Sequence, residues 1–190
     1  EIGSIQPIKE IIKKICNHNI PLHTDAVQAL GKIKINVNEL GIDYLSLSAH
    51  KFYGPKGVGA LFVNKKNNIK PFIIGGDQEN GFRGGTENIA GIVGMGLAAE
   101  LAIKDQNTCV KKLKKLEKYF LNNLKEHIPS AKHNKTNNLP GLISISFPGN
   151  KSNVLMAKLD RASIAVSNGS ACNTGNIKPS KVLKAIGLDD

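Results

Sequence analysis

Apolar residues recur at helical spacing in Ile8, Ile11, Ile12 and Ile15, with Lys9, Glu10, Lys13 and Lys14 between them. The pattern predicts an amphipathic helix opened by Pro7. Cys16, at its end, is expected to serve as a small buried hydrophobe. A short strand over Ile20–Thr24 follows and delivers Asp25 at its C-terminal end; Ala26 to Gly31 reads as a helical turn stopped by glycine. Tyr44–Ser48 alternates as a strand and runs out into His50 and Lys51. Gly54-Pro55-Lys56-Gly57 then turns the chain into a second apolar run, Val58–Val63. Helix, strand, connection, strand is the rhythm of an α/β layer with parallel neighbours. In open sheets of that kind, ligands sit beyond the carboxyl ends of the strands. Asp25 leaves one strand there, and Ser48, His50 and Lys51 leave another, so the two sets can converge.

The second half of the pattern begins after a polar turn, Lys65-Lys66-Asn67-Asn68. A glycine-rich segment from Gly75 to Thr86 leads into a helix packed with small residues, among them Gly91, Gly94, Gly96, Ala98 and Ala102. Glycine inside a helix costs about 1 kcal/mol against alanine, so something must press close on this one. Thr86 is expected to cap it, and a capped helix N-terminus is a ready phosphate seat. The polar run Lys104-Asp105-Gln106-Asn107 predicts a domain boundary, with domains over 1–105 and 106–190. A basic amphipathic helix with Val110, Leu113, Leu116, Phe120, Leu121 and Leu124 inward ends before Pro129. Beyond it the expectation is a strand Leu142–Phe147, a helix Asn153–Leu159 and a strand Ser163–Ser167. A small-residue loop from Asn168 to Asn176 and a last helix, Ser180–Ile186, complete the chain.

Composition narrows the classes. A chain of 190 residues with 41% hydrophobic content can bury a core. No apolar run approaches the roughly 20 residues that span a bilayer, and the first residues show no signal-peptide pattern. Cys16, Cys109 and Cys172 are widely separated and form no CxxC pair, which fits a reducing cytoplasm better than a disulfide framework or zinc site. The net charge of +11 raises a nucleic-acid reading. Against it, Arg83 and Arg161 are the only arginines and aromatics make up 5%, whereas base readout favours Arg and single-strand binding favours interleaved aromatics. The lysines are read as a solvated surface, with an acidic protein or nucleic acid as the alternative.

A lysine at the tip of a strand, before a tight turn, is held where an enzyme places one that must form a covalent bond. A Schiff-base lysine with an Asp facing a pyridine nitrogen describes a pyridoxal phosphate site. Ser48 and Thr86 offer hydroxyls to a phosphate, and Gln28, one helical turn beyond Asp25, can donate to the ring hydroxyl. Gly54-Pro55-Lys56-Gly57 lacks the spacing of a nucleotide-binding P-loop.

Asp25-Ala26-Val27-Gln28, Ser48-Ala49-His50-Lys51-Phe52-Tyr53-Gly54-Pro55-Lys56-Gly57, Arg83-Gly84-Gly85-Thr86-Glu87-Asn88 and Ser167-Asn168-Gly169-Ser170-Ala171-Cys172 closely resemble the cysteine desulfurases. These are fold-type-I, class-V-aminotransferase-like pyridoxal phosphate enzymes. The resemblance covers nearly the whole chain, and its Gly-Ser-Ala-Cys loop is similar to that of the housekeeping and nitrogen-fixation subgroup. It implies an α/β fold: residues 1–105 as the C-terminal part of the large cofactor domain, and 106–190 as a truncated α+β small domain bearing the catalytic cysteine loop. It implies that Lys51 holds pyridoxal 5′-phosphate covalently and removes the substrate α-proton. Asp25 would pair with the pyridine nitrogen and Gln28 with the ring hydroxyl. Ser48 and His50 would bind the phosphate, joined by Thr86 from the second subunit of a homodimer.

Cys172 would attack the substrate sulfur, yielding L-alanine from L-cysteine and a persulfide for an iron–sulfur scaffold, tRNA thiolation or another acceptor. The same cysteine would transiently help to ligate a nascent cluster. Ala49 stands where many relatives have Gly. The resemblance also implies N- and C-terminal parts that this sequence lacks, and hence a fragment with little activity alone. Two alternatives remain open at this point: an aminotransferase or selenocysteine lyase of the same class, and a non-catalytic binding module.

Overall fold

The computed structural model of the chain describes residues 1–134, 138–168 and 180–188. It divides into two compact units, Gln6–Lys111 and a second formed by Glu1–Ile5 with Lys112–Asp190.

In the first unit, helix α1 spans Ile8–Ile15 with Pro7 at its N-cap, as the isoleucine spacing predicts. Cys16, immediately after it, is exposed and free rather than buried: the α-helix ends at Ile15 and Cys16 opens the 3-10 turn Cys16–His18. Strand β1 (His23–Asp25), helix α2 (Val37–Leu40), strand β2 (Tyr44–Ser48) and strand β3 (Gly59–Val63) follow. The three strands form one sheet in the order β1-β2-β3. β1 pairs with β2 in parallel, while β3 returns antiparallel to β2, because the short Gly54–Gly57 turn leaves no room for a crossover. α2 was not legible as hydrophobic periodicity. It is held by Asn36, whose Oδ1 accepts from the Asn38 and Glu39 amides and whose Nδ2 donates to Glu39 Oε1.

The core lies on one face of this sheet. Ala26, Ile42 and Leu45 are its buried centre, and Ile8, Ile12, Leu22, Leu47 and Phe62 pack around them. Leu45 and Leu47 point to this face because strand side chains alternate with period two. The same alternation sends Asp25, Ser46 and Ser48 to the other face.

Helix α3 runs without a break from Ile89 to His127, 39 residues. The polar run at 104–107 lies inside it: with no Gly or Pro there, a change in polarity alone does not stop a helix. The helix contributes to both units, since their division falls at Lys111 and Lys112. Its cap also differs from expectation. Asn88, not Thr86, precedes the first turn, and its Oδ1 accepts from the Gly91 amide at 3.1 Å. The small residues are pressed upon as expected. A methyl added at Gly94 would lie 2.7 Å from Pro55 Cγ, one at Gly54 would lie 3.2 Å from Ala98 Cβ, and one at Gly31 would lie 3.2 Å from Ala102 Cβ. Residues 94, 98 and 102 share one stripe of the helix.

In the second unit, β4 (Lys132–His133) pairs antiparallel with β5 (Ile145–Ser146). Ser146 Oγ donates to Asn134 Oδ1, and Asn134 Nδ2 donates to Ser144 Oγ. The Leu139 amide bonds the Gly3 carbonyl at 2.8 Å, which joins the first residues to this unit. Helix α4 (Ser152–Arg161) and helix α5 (Lys181–Ala185) occupy the expected places. Ser163–Ser167 forms no strand; its first residue sits at a left-handed φ of 60°, closing the turn after α4 rather than extending. Among the described residues no helix is long and apolar enough to cross a membrane.

Candidate functional site

The parallel register sets the site. His23, Thr24 and Asp25 pair with Tyr44, Leu45 and Ser46, so both strands end on the same edge. His23 Nε2 meets Ser46 Oγ at 2.6 Å across the pair, which fixes His23, Asp25, Ser46 and Ser48 on one polar face.

Asp25 ends β1, and its Oδ1 accepts from the Val27 amide at 2.9 Å. That short Asx turn bends the chain back and holds the carboxylate at the strand tip. The turn continues through bonds from Ala29 N to Ala26 O and from Lys32 N to Ala29 O. It brings Gln28 Oε1 within 3.3 Å of Lys32 Nζ.

Two residues beyond the Asp25 register, β2 ends at Ser48 and enters a 3-10 turn, Ala49–Phe52. Ala49 and Phe52 are 0% and 3% exposed. With three residues per turn, burying the first and fourth leaves the two between them outside, and His50 and Lys51 are both exposed. His50 Nδ1 and Ser48 Oγ lie 2.9 Å apart. The turn is fixed from behind by the Ala49 amide on Val58 O and the Gly54 amide on Ala49 O. Gly54 cannot be larger, since an added methyl would lie 2.9 Å from Ala49 Cβ.

The two loops interact electrostatically. Half-burial lowers the Lys32 pKa, and repulsion from the Lys51 ammonium lowers it further; the parallel register of β1 and β2 puts the Asp25 loop and the Lys51 turn at one edge. Asp25, Gln28, Ser48, His50 and Lys51 therefore gather at the carboxyl ends of β1 and β2. Thr86 is exposed in the extended segment before α3, and no hydrogen bond links it to them. Cys172 lies outside the described residues. Three further polar residues belong to this edge: His23, Ser46 and Lys32. The first two were signalled by period-two alternation through Asp25 and Ser48; Lys32 carried no such signal. Among the described residues no three His, Cys, Asp or Glu side chains gather as metal ligands.

The chain is similar to several known proteins. The cysteine desulfurase IscS of Dictyoglomus turgidum is 47% identical over 190 residues, covering 99% of this chain and 48% of its own length. A solved NifS-like protein from Rickettsia africae superposes with a TM-score of 0.90 at 34% identity, over 100% of this chain and 50% of that one. SspA, solved in complex with cysteine, gives a TM-score of 0.74 at 37% identity, over 98% of this chain and 52% of its own. The chain thus spans about half the length of the relatives it matches. The model for the aminotransferase class-V family matches residues 1–187, and the chain belongs to that family.

Proposed function

We propose that this chain works within a cysteine desulfurase that converts L-cysteine to L-alanine and passes the sulfur on through Cys172. The observation that carries the reading is the common edge on which β1 and β2 present Asp25 and Lys51. The donor set there suits pyridoxal 5′-phosphate: a carboxylate for a protonated ring nitrogen, an amide for the ring hydroxyl, a hydroxyl and an imidazole for the phosphate, and a primary amine to hold the aldehyde. When bound, that cofactor supplies an electron sink that makes the bonds around the substrate α-carbon labile.

The chain's own residues do the rest. Asp25 keeps the ring nitrogen charged, Gln28 orients the ring, and Ser48 with His50 anchors the phosphate. Lys51 holds the cofactor and takes the substrate α-proton on Nζ. Cys172 would attack the substrate sulfur as a thiolate. The substrate Cβ–S bond breaks, its electron pair stays with the carbon skeleton, which takes up a proton and leaves as alanine, and Cys172 keeps the sulfur as a persulfide. The cysteine bound in the SspA structure supports cysteine as substrate. The sulfur then goes to iron–sulfur cluster assembly or tRNA thiolation, a scaffold protein being the acceptor in the first case. There Cys172 transiently ligates the nascent cluster.

The assembly is a homodimer. Ile89, Val93, Leu97 and Leu101 recur every four residues along α3 and are 64%, 67%, 58% and 47% exposed, an apolar stripe that a second copy would cover. Thr86 lies just before the head of this stripe, which supports its reaching the neighbouring subunit's phosphate. The exposed free thiols Cys16 and Cys109 support a reducing setting such as the cytoplasm.

The test adds pyridoxal 5′-phosphate to the whole desulfurase in which this chain works and follows the visible absorbance of its covalent adduct. The band should form in the wild type and vanish in Lys51→Ala. Cysteine should then produce persulfide in the wild type and none in Cys172→Ser. A band that survives Lys51→Ala, or persulfide that survives Cys172→Ser, refutes the reading.

A further inference from the structure

We propose that Lys32 is a positioning residue: its ammonium fixes the Gln28 side-chain amide so that the two N–H donors face the ligand side of the strand edge. The inference rests on the reading above for what Gln28 then contacts, but its geometry is independent of it. A lysine ammonium has three donors and no acceptor. Within 3.3 Å of it, the amide must therefore turn its oxygen toward Nζ and its nitrogen away. An unrestrained glutamine on an exposed turn presents either end; one held by a cation presents only donors. The adjacent charge also polarises the amide and strengthens what it donates to an electron-rich oxygen.

The backbone behind Lys32 is fixed as well. Gly31 takes a left-handed φ of 78° and sits against Ala102 of α3, where an added methyl would be 3.2 Å from Ala102 Cβ. Lys32 follows directly, and its amide bonds Ala29 O.

The contact is not one that stability alone would select. Lys32 makes no ion pair with a carboxylate among the described residues. Lys51 repels it. A half-buried ammonium repelled by its neighbour weakens the fold slightly, so its place beside Gln28 points to a role at the site.

The test reads Gln28 directly and then through the cofactor. In the ligand-free chain, the side-chain NH2 of Gln28 should give two resolved proton resonances in 15N spectra. Lys32→Met should move them toward free-glutamine positions, and Lys32→Arg should restore them. Lys32→Met should also weaken pyridoxal 5′-phosphate binding about fivefold to tenfold, as expected for one charge-assisted hydrogen bond. In a Gln28→Ala background the same substitution should have no further effect. A merely structural role would persist there.

Unchanged Gln28 resonances in Lys32→Met would overturn the proposal, as would an effect on binding that survives Gln28→Ala. A wild-type whole protein that forms no visible adduct overturns the proposed function, while the Gln28 resonances still decide the Lys32 contact.

Discussion

Asp43→Asn should unbutton the end of the sheet opposite the candidate site. Asp43 stands just before β2 and is 6% exposed. Its Oδ2 accepts from the Leu22 amide at 2.8 Å. Its Oδ1 accepts from Asn67 Nδ2 at 2.7 Å and pairs with Lys66 Nζ at 3.0 Å. One carboxylate thus ties the segment entering β1 to the turn leaving β3. The Asn67 side chain, then the Leu22 amide, hold its pKa down from 3.8 to about 2. A shift of that size is worth roughly 2 kcal/mol. The Lys66 side chain is 64% exposed, so solvent screens the ionic share and the expected loss is about 1–2 kcal/mol.

The sign follows from linkage. A carboxyl with a depressed folded pKa stabilises above its unfolded value and loses that contribution as pH falls through the folded one. Urea unfolding should therefore show wild type ahead of Asp43→Asn at pH 7. The gap should narrow between about pH 4 and pH 2, where the wild-type carboxyl also becomes neutral. A gap that stays constant across that range, or is absent at pH 7, would refute the account.

Other expectations are local. Gly94→Ala would set a methyl 2.7 Å from the Pro55 ring. Overpacking should outweigh the helix-propensity gain and cost about 1–2 kcal/mol by thermal or urea unfolding. Asn36→Ala removes the acceptor for the Asn38 and Glu39 amides and should cost about 1 kcal/mol by the same measurement. Ser48→Ala breaks the contact with His50; it should weaken pyridoxal 5′-phosphate binding about tenfold or less while leaving the urea midpoint nearly unchanged. Val93→Glu, on the exposed stripe of α3, should abolish the proposed homodimer, read as a loss of the dimer by sedimentation of the whole protein.

The residues most legible in the sequence were those whose environment is set locally. Tyr44–Ser48 has the bounds its alternation predicted, because one face packs on Leu45's cluster and the other bears serines. Asp25 was legible as a strand-end residue for the same reason, whereas Lys51 lies three residues past β2, in the 3-10 turn Ala49–Phe52. What escaped was decided by neighbours far along the chain or by one rival side chain. Thr86 looked like a cap, but Asn88 is closer to the helix and reaches Gly91 N. The run at 104–107 is polar, yet nothing in it breaks a helix, so α3 continues through it. Ser163–Ser167 alternates like a strand, but no partner pairs with it among the described residues. Lys32 could not be singled out, since a lysine in a turn acquires meaning only beside Gln28 and Lys51.

The stripe of Gly94, Ala98 and Ala102 on α3 acts as a spacer bar. Its members stand roughly 6 Å apart along the axis; Gly94 and Ala98 abut the Gly54-Pro55 corner, and Ala102 abuts Gly31. The lysine-bearing and carboxylate-bearing corners are thus registered against one rigid rod. The spacing of the two corners is set from the rear by these packed faces, and a single added methyl there would shift one corner relative to the other.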